Sequence, residues 1–219
     1  MPQDYQRARS PERKAERFAQ IMGAADELVH ELPYQEISPT TIAERLGWSR
    51  GNLYKYAATK EEVFLALHHR EEAAFTADLA ATLAACEGTP GAIARSWATS
   101  IDAHRSFVRY QAVLTTMLET NVGYERLVAS KRTIKEDMVP VIQALEELLP
   151  QLGEGGCVGL YLALLYHAVG LRGHYLGTPE QSRAMEEAGM GRVTDDFAQA
   201  NERFARTYLA GLLASHEES

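Results

Sequence analysis

The sequence predicts an all-α fold, and three observations carry that prediction. Apolar residues recur at three- and four-residue intervals along most of the 219-residue chain, caps such as Ser-Pro and Thr-x-x-Glu stand ahead of those runs, and no stretch alternates as a half-buried strand does. With 46% hydrophobic residues the chain can bury a good core, and its length suits one large or two small domains.

A polar arm over residues 1–10 leads to a first helix starting at Ser10-Pro11-Glu12, where proline occupies a first-turn position with no N–H to lose. Phe18, Met22, Ala25, Val29 and Leu32 form its expected inner stripe, and Pro33 ends it. Glu27 and His30 have the Glu-x-x-His spacing of carboxylate-bridged di-iron bundles, but no second copy follows, so no metal site and no cofactor are expected.

The densest signals lie between Ser38 and Phe64. Ser38 caps a helix whose first position is Pro39, with Ile42, Ala43 and Leu46 on its apolar face and Gly47 supplying the left-handed turn that stops it. Ser49 caps the next helix, where Leu53 points inward beside Trp48. Thr59 and Glu62 then make a capping box ahead of Val63, Phe64 and Leu67. Two short helices joined by a tight turn and followed by a capped third are a helix-turn-helix.

The exposed chemistry of this segment suits a duplex. Arg50 can present a bidentate fork to guanine, Asn52 offers donor and acceptor, and Gly51 lets the backbone approach closely. Thr40, Thr41, Ser49, Tyr54, Lys55, Tyr56 and Lys60 complete the expected DNA-binding set, with Tyr54, Lys55, Tyr56 and Lys60 assigned to phosphates.

Downstream, a long helix from Lys60 to about Ala85 turns Phe64, Leu67, Phe75, Leu79 and Leu83 inward, and Gly88-Thr89-Pro90 punctuates it. Helices over 90–102, 104–121 and 124–149 follow, the last with a kink expected at Pro140. Gly153-Glu154-Gly155-Gly156 reads as a loop. Residues 157–176 are apolar on nearly every side, which indicates a helix covered by its own domain and by a second surface such as another protomer. After a polar stretch over 177–192, a final helix over 194–214 aligns Phe197, Phe204, Tyr208 and Leu212.

Charge and cysteine content narrow the function. The chain totals −8, but residues 1–60 hold nine Lys and Arg against eight Asp and Glu, while residues 61–219 hold thirteen against twenty-two. The acid sits downstream, so Arg7, Arg9, Arg13, Lys14, Arg17, Arg50, Lys55 and Lys60 can still give the first part a positive face. Cys86 and Cys157 lie far apart without a metal-binding spacing, which suits a reducing cytoplasm. The longest apolar run, Val158 to Leu171, is broken by Gly159, His167 and Gly170 and reads as too short to span a bilayer, so no membrane partner is expected. There is no Gly-rich phosphate loop, paired-carboxylate spacing or Ser elbow, and Gly189-Met190-Gly191 is an isolated fragment; an enzyme is not expected.

Thr41-Ile42-Ala43 before the turn, and Leu53-Tyr54-Lys55-Tyr56 before Lys60-Glu61-Glu62, resemble the DNA-binding module of the TetR/AcrR family of transcriptional regulators. With the helix before it, the motif covers about a quarter of the chain. Family members usually carry an aromatic after the second tyrosine; Ala57 and Ala58 stand there, leaving open whether Tyr56 meets phosphate or fills the vacated space.

The resemblance implies a DNA-binding domain over 1–60 and a ligand-binding and dimerisation domain over 61–219, three helices for DNA and roughly six for the rest. It also implies a homodimer through the last two long helices, a double-stranded palindromic operator, and a cavity for a small effector. Trp97, Ile101, His104, Phe107, Tyr110, Leu114, Met117, Met138, Ile142, Tyr161, Leu165, His167 and Arg172 could line that cavity, an aromatic and Met-rich set suited to an apolar or aromatic molecule. The expected function is a ligand-responsive repressor; the alternative is an all-α protein–protein adaptor of the same fold that no longer binds DNA.

Overall fold

Caps and turns set the helix boundaries in the computed structural model, which describes residues 11–175, 178–190 and 196–217; the arm carrying Arg7 and Arg9 lies outside them. The helices are α1 (Pro11–Glu31), α2 (Pro39–Arg45), α3 (Arg50–Leu53), α4 (Lys60–Ala84), α5 (Pro90–Ala103), α6 (Arg105–Val113), α7 (Tyr124–Leu148), α8 (Gly153–Tyr175), α9 (Pro179–Glu187) and α10 (Phe197–Glu217). Among the described residues there is no strand, so the protein is all-α as the sequence predicts.

The chain divides into two compact units, Met1–Arg70 with Val113–Ser130, and Glu71–Ala112 with Lys131–Ser219. This division differs from a single cut after residue 60: α4 runs from the first unit into the second, and 113–130 joins the first.

In the first unit, Ile21, Ala24, Ala25 and Leu28 of α1 are buried together with Ile42, Ala43, Leu53, Val63, Phe64 and Leu67. The buried stripe of α1 shares Ala25 with the expected one and otherwise lies one position before it. Phe18, Met22, Val29 and Leu32 flank it half-buried, because both sets satisfy a three-and-four spacing and only the partner surface chooses between them.

The second unit is built on one core. Phe75, Leu79 and Leu83 of α4 meet Ile93, Trp97 and Ile101 of α5, Val141 and Leu145 of α7, Leu160, Tyr161 and Leu164 of α8, and Leu209 of α10. Phe75 is fully buried, stacked on Phe107 at 4.7 Å and edge-on to Trp97 at 5.7 Å, geometries favoured by the ring quadrupoles.

Three expectations change. The helix expected over 104–121 breaks after Val113 into a wide turn over Leu114–Leu118 and a 3-10 turn over Glu119–Asn121. Thr120 Oγ1 donates to the Thr116 carbonyl and Asn121 Nδ2 to that of Met117, side-chain bonds that compete with the helical ladder. The glycine cluster 153–156 is not a loop but the first turn of α8. Gly153 takes φ +62°, and a Cβ on Gly156 would lie 2.9 Å from Leu152 Cβ, so small residues let the preceding turn pack against the helix start. Within the expected polar stretch, α9 forms on a reciprocal cap between Thr178 and Gln181.

Pro140 sits inside α7, which continues through it. The segment Pro150–Arg172 is, by length and composition, long and apolar enough to cross a membrane, against the expectation from the shorter run. Its apolarity has a use within the fold, since Cys157, Leu160, Tyr161, Leu164, Leu165 and Ala168 enter the core.

Candidate nucleic-acid interface

Local chemistry builds the helix-turn-helix in the first unit. Ser38 Oγ accepts from Thr41 N at 3.2 Å while Thr41 Oγ1 accepts from Ser38 N at 2.9 Å, closing a reciprocal cap on α2. Gly47 at φ +66° reverses the chain, and Trp48 N donates to the Ala43 carbonyl at 2.8 Å. Ser49 Oγ then accepts from Asn52 N at 3.3 Å, starting α3, and a tight turn carries the chain through Tyr56. Leu53 and Ala57 are buried beneath it, leaving Arg50, Gly51, Tyr54 and Lys55 exposed.

On that open face Arg50 is held by its neighbour one turn along. Its Nε and Nη2 donate to Tyr54 Oη at 3.0 and 2.8 Å, and its guanidinium lies 5.2 Å from the Tyr54 ring centroid. A fixed, exposed guanidinium loses less freedom on meeting a base edge or phosphate than a free one.

Other members of the expected set have structural duties. Thr41 holds the α2 cap, whereas Thr40 is half-buried beside it. Tyr56 leans on Trp48, ring centroids 5.9 Å apart, and Arg17 of α1 covers the same indole at 5.1 Å. Tyr56 thus packs where the sequence left its role open, and the buried Ala57 occupies the position of the absent ring. The Arg17–Trp48 contact has no local signature, since 31 positions separate the two residues.

Lys60 is the clearest departure. Its Nζ donates to the carbonyls of Tyr34 at 2.9 Å and Ile37 at 2.7 Å and stands 4.2 Å from the Tyr34 ring centroid. Burial lowers its pKa, with Glu61 opposing. Directed inward, this ammonium ties the turn after α1 to the start of α4. Lys60→Met is expected to cost about 1–3 kcal/mol, the scale of lost hydrogen bonds to a charged group, as read by urea denaturation, with the salt slope of DNA binding unchanged. Unaltered stability with a slope reduced by about one would return Lys60 to the phosphates.

The expected cavity residues of the C-terminal part fall into separate environments. Trp97, Ile101, Phe107, Ile142, Tyr161 and Leu165 belong to the second unit's core, with Met138 against it and Tyr110 also buried in that unit. Leu114 and Met117 belong instead to the first unit. His104 Nε2 lies 3.7 Å from Asp78 Oδ2. Arg172 is half-buried, and burial, then Arg109, lowers its pKa.

His167 of α8 stacks on Phe204 of α10 at 3.6 Å, in a groove of about 400 Å³ lined also by Leu171, Tyr175, Ala200, Arg203 and Thr207. Burial, then Arg203, holds its pKa below the ordinary imidazole value, so the ring is neutral at pH 7. Beyond the groove α8 exposes Tyr166, 62% accessible, and α10 exposes Tyr208. Gly159, Gly170 and Gly211 have open space where a Cβ would stand.

A capped helix-turn-helix with an exposed arginine, in a chain whose remainder is helices joined by short turns among the described residues, defines the class of helix-turn-helix transcriptional regulators. Residues 21–67 match the family described as bacterial regulatory proteins, tetR family, and residues 69–216 match the tetracyclin repressor-like C-terminal domain; the chain belongs to the TetR family. TetR-family regulators bind DNA and dimerise. Among solved structures the chain is similar to a TetR-family transcriptional regulator from Mesorhizobium loti, with 20% identity, TM-score 0.50, and coverage of 93% of this chain and 98% of that one. It is also similar to the fatty acid degradation regulator FadR from Bacillus halodurans, with 18% identity, TM-score 0.49, and coverage of 93% and 96%. The likeness to the Mesorhizobium loti protein is one of fold. No curated protein matches the chain.

Proposed function

We propose that the protein is a cytoplasmic, homodimeric, ligand-responsive repressor that binds a palindromic operator through α3 in successive major grooves. The observation that carries this reading is the exposed Arg50 guanidinium, oriented by Tyr54 on a short helix capped by Ser49. Family membership supplies the DNA-binding and dimerising context. Two such helices related by a two-fold axis meet half-sites about 34–36 Å apart.

The surface of α8 and α10 supports the dimer. A soluble chain gains little by exposing Tyr166 on an otherwise apolar helix unless a second surface covers it. A small apolar or aromatic effector bound in the C-terminal part would favour one separation of the DNA modules and the operator another. Effector and operator must then weaken each other by the same factor.

Arg50→Ala tests the DNA-reading assignment. It is expected to lower operator affinity by about 1–3 kcal/mol while changing random-duplex affinity much less. Fluorescence anisotropy on both duplexes at one salt concentration measures the difference. Equal losses on the two would make Arg50 a phosphate contact.

A further inference from the structure

Helix α4 carries the run His68-His69-Arg70-Glu71-Glu72. Residues three and four apart on a helix are neighbours, so Glu72 lies beside both imidazoles one turn earlier. One donor atom of each of His68, His69 and Glu72 falls within 4.8 Å of the other two, and the histidine rings stand edge-on with centroids 5.6 Å apart. His68 is fully buried, Glu72 is 2% exposed, and His69 is half-buried. Three side chains of the types that ligate transition metals thus converge within one helical turn where little solvent reaches them.

We propose that His68, His69 and Glu72 bind a divalent first-row transition metal ion, a two-histidine, one-carboxylate donor set suited to zinc, cobalt or ferrous iron. This site differs from the sequence expectation of no metal: its ligands are the adjacent histidines of α4, not the Glu27/His30 pair of α1. Bonds of about 2.1 Å in a tetrahedral site place donors about 3.4 Å apart, so binding draws them inward by side-chain rotation. Three protein ligands leave one position open to water or to a donor atom of a small molecule.

The test uses the full chain stripped with a chelator and titrated with Co²⁺, followed by absorbance, with Zn²⁺ stoichiometry by equilibrium dialysis. One Co²⁺ per protomer is expected, with ligand-field bands that Zn²⁺ abolishes. His68→Ala and Glu72→Gln should each weaken binding by about a hundredfold or more, the upper range for changes around metal sites, and His30→Ala on α1 should leave it unchanged. If His68→Ala loses its far-UV circular dichroism, Glu72→Gln and His69→Ala decide. No saturable binding, or binding unaltered by the variants that fold, would overturn the proposal. The measurement needs no DNA, so its failure leaves the DNA-binding reading standing.

Discussion

Tyr166→Asp is expected to turn the protein into a monomer. Tyr166 is 62% exposed at the centre of α8, near half-buried Leu162 and Val169, and the second unit's core covers the opposite side of the helix. In a two-fold interface each substitution occurs twice, and a carboxylate facing an apolar partner has no counter-charge. At about 2 kcal/mol per copy, the cost of losing a central aromatic anchor, dimer affinity should fall by about a thousandfold. Sedimentation velocity at low micromolar concentration reads this directly, and circular dichroism should be unchanged because the side chain lies outside the monomer core. A variant that stays dimeric would place the interface elsewhere. Operator affinity should fall with dimerisation, since half-sites read singly lose the gain in effective concentration that linked binding provides.

Phe75→Ala is expected to give the largest loss of stability, about 3–5 kcal/mol. Phe75 is fully buried, stacked on Phe107 and edge-on to Trp97, with His104 6.0 Å away. Removing the ring leaves a cavity among rigid aromatics that cannot close over it. Marginal stabilities of about 5–15 kcal/mol make this a large fraction of the total, and for a chain of this size the midpoint should fall by about 10 °C or more. Thermal melts of Phe75→Ala and Phe75→Leu check the cause: the leucine variant should recover much of the loss. Equal, small shifts in both would show that this side of the core repacks freely.

Local signals were legible in the sequence because their chemistry is local. Ser38-Pro39, Gly47, Ser49 and the Thr59/Glu62 pair each act within four residues, and the structure places a cap or a left-handed turn at each. The Thr178/Gln181 cap of α9 was equally local and was missed, because a polar, glycine-containing composition masked it. Long-range choices were not legible. The register of α1 depends on which stripe its partners accept, and Lys60 looks like a phosphate ligand until the turn at Tyr34–Glu36 brings two carbonyls to it.

The candidate site divides along the same line. Arg50 and Tyr54 are four apart on one helical surface, so their pairing was within reach of the sequence, whereas Arg17 reaching Trp48 was not. Effector residues were least legible, since aromatic and methionine positions at helical spacing suit a core and a pocket equally well. Most of the expected set in the second unit packs in its core, and His167 alone among them lines the described groove.

Selection from a random duplex library at near-physiological salt, using the purified full chain, shows whether the protein reads a two-fold operator. Enrichment of a palindrome with half-sites about one helical turn apart is expected, and the Arg50→Ala variant should no longer enrich it. Failure to enrich any sequence by a folded dimer would contradict this expectation and favour an adaptor of the same fold.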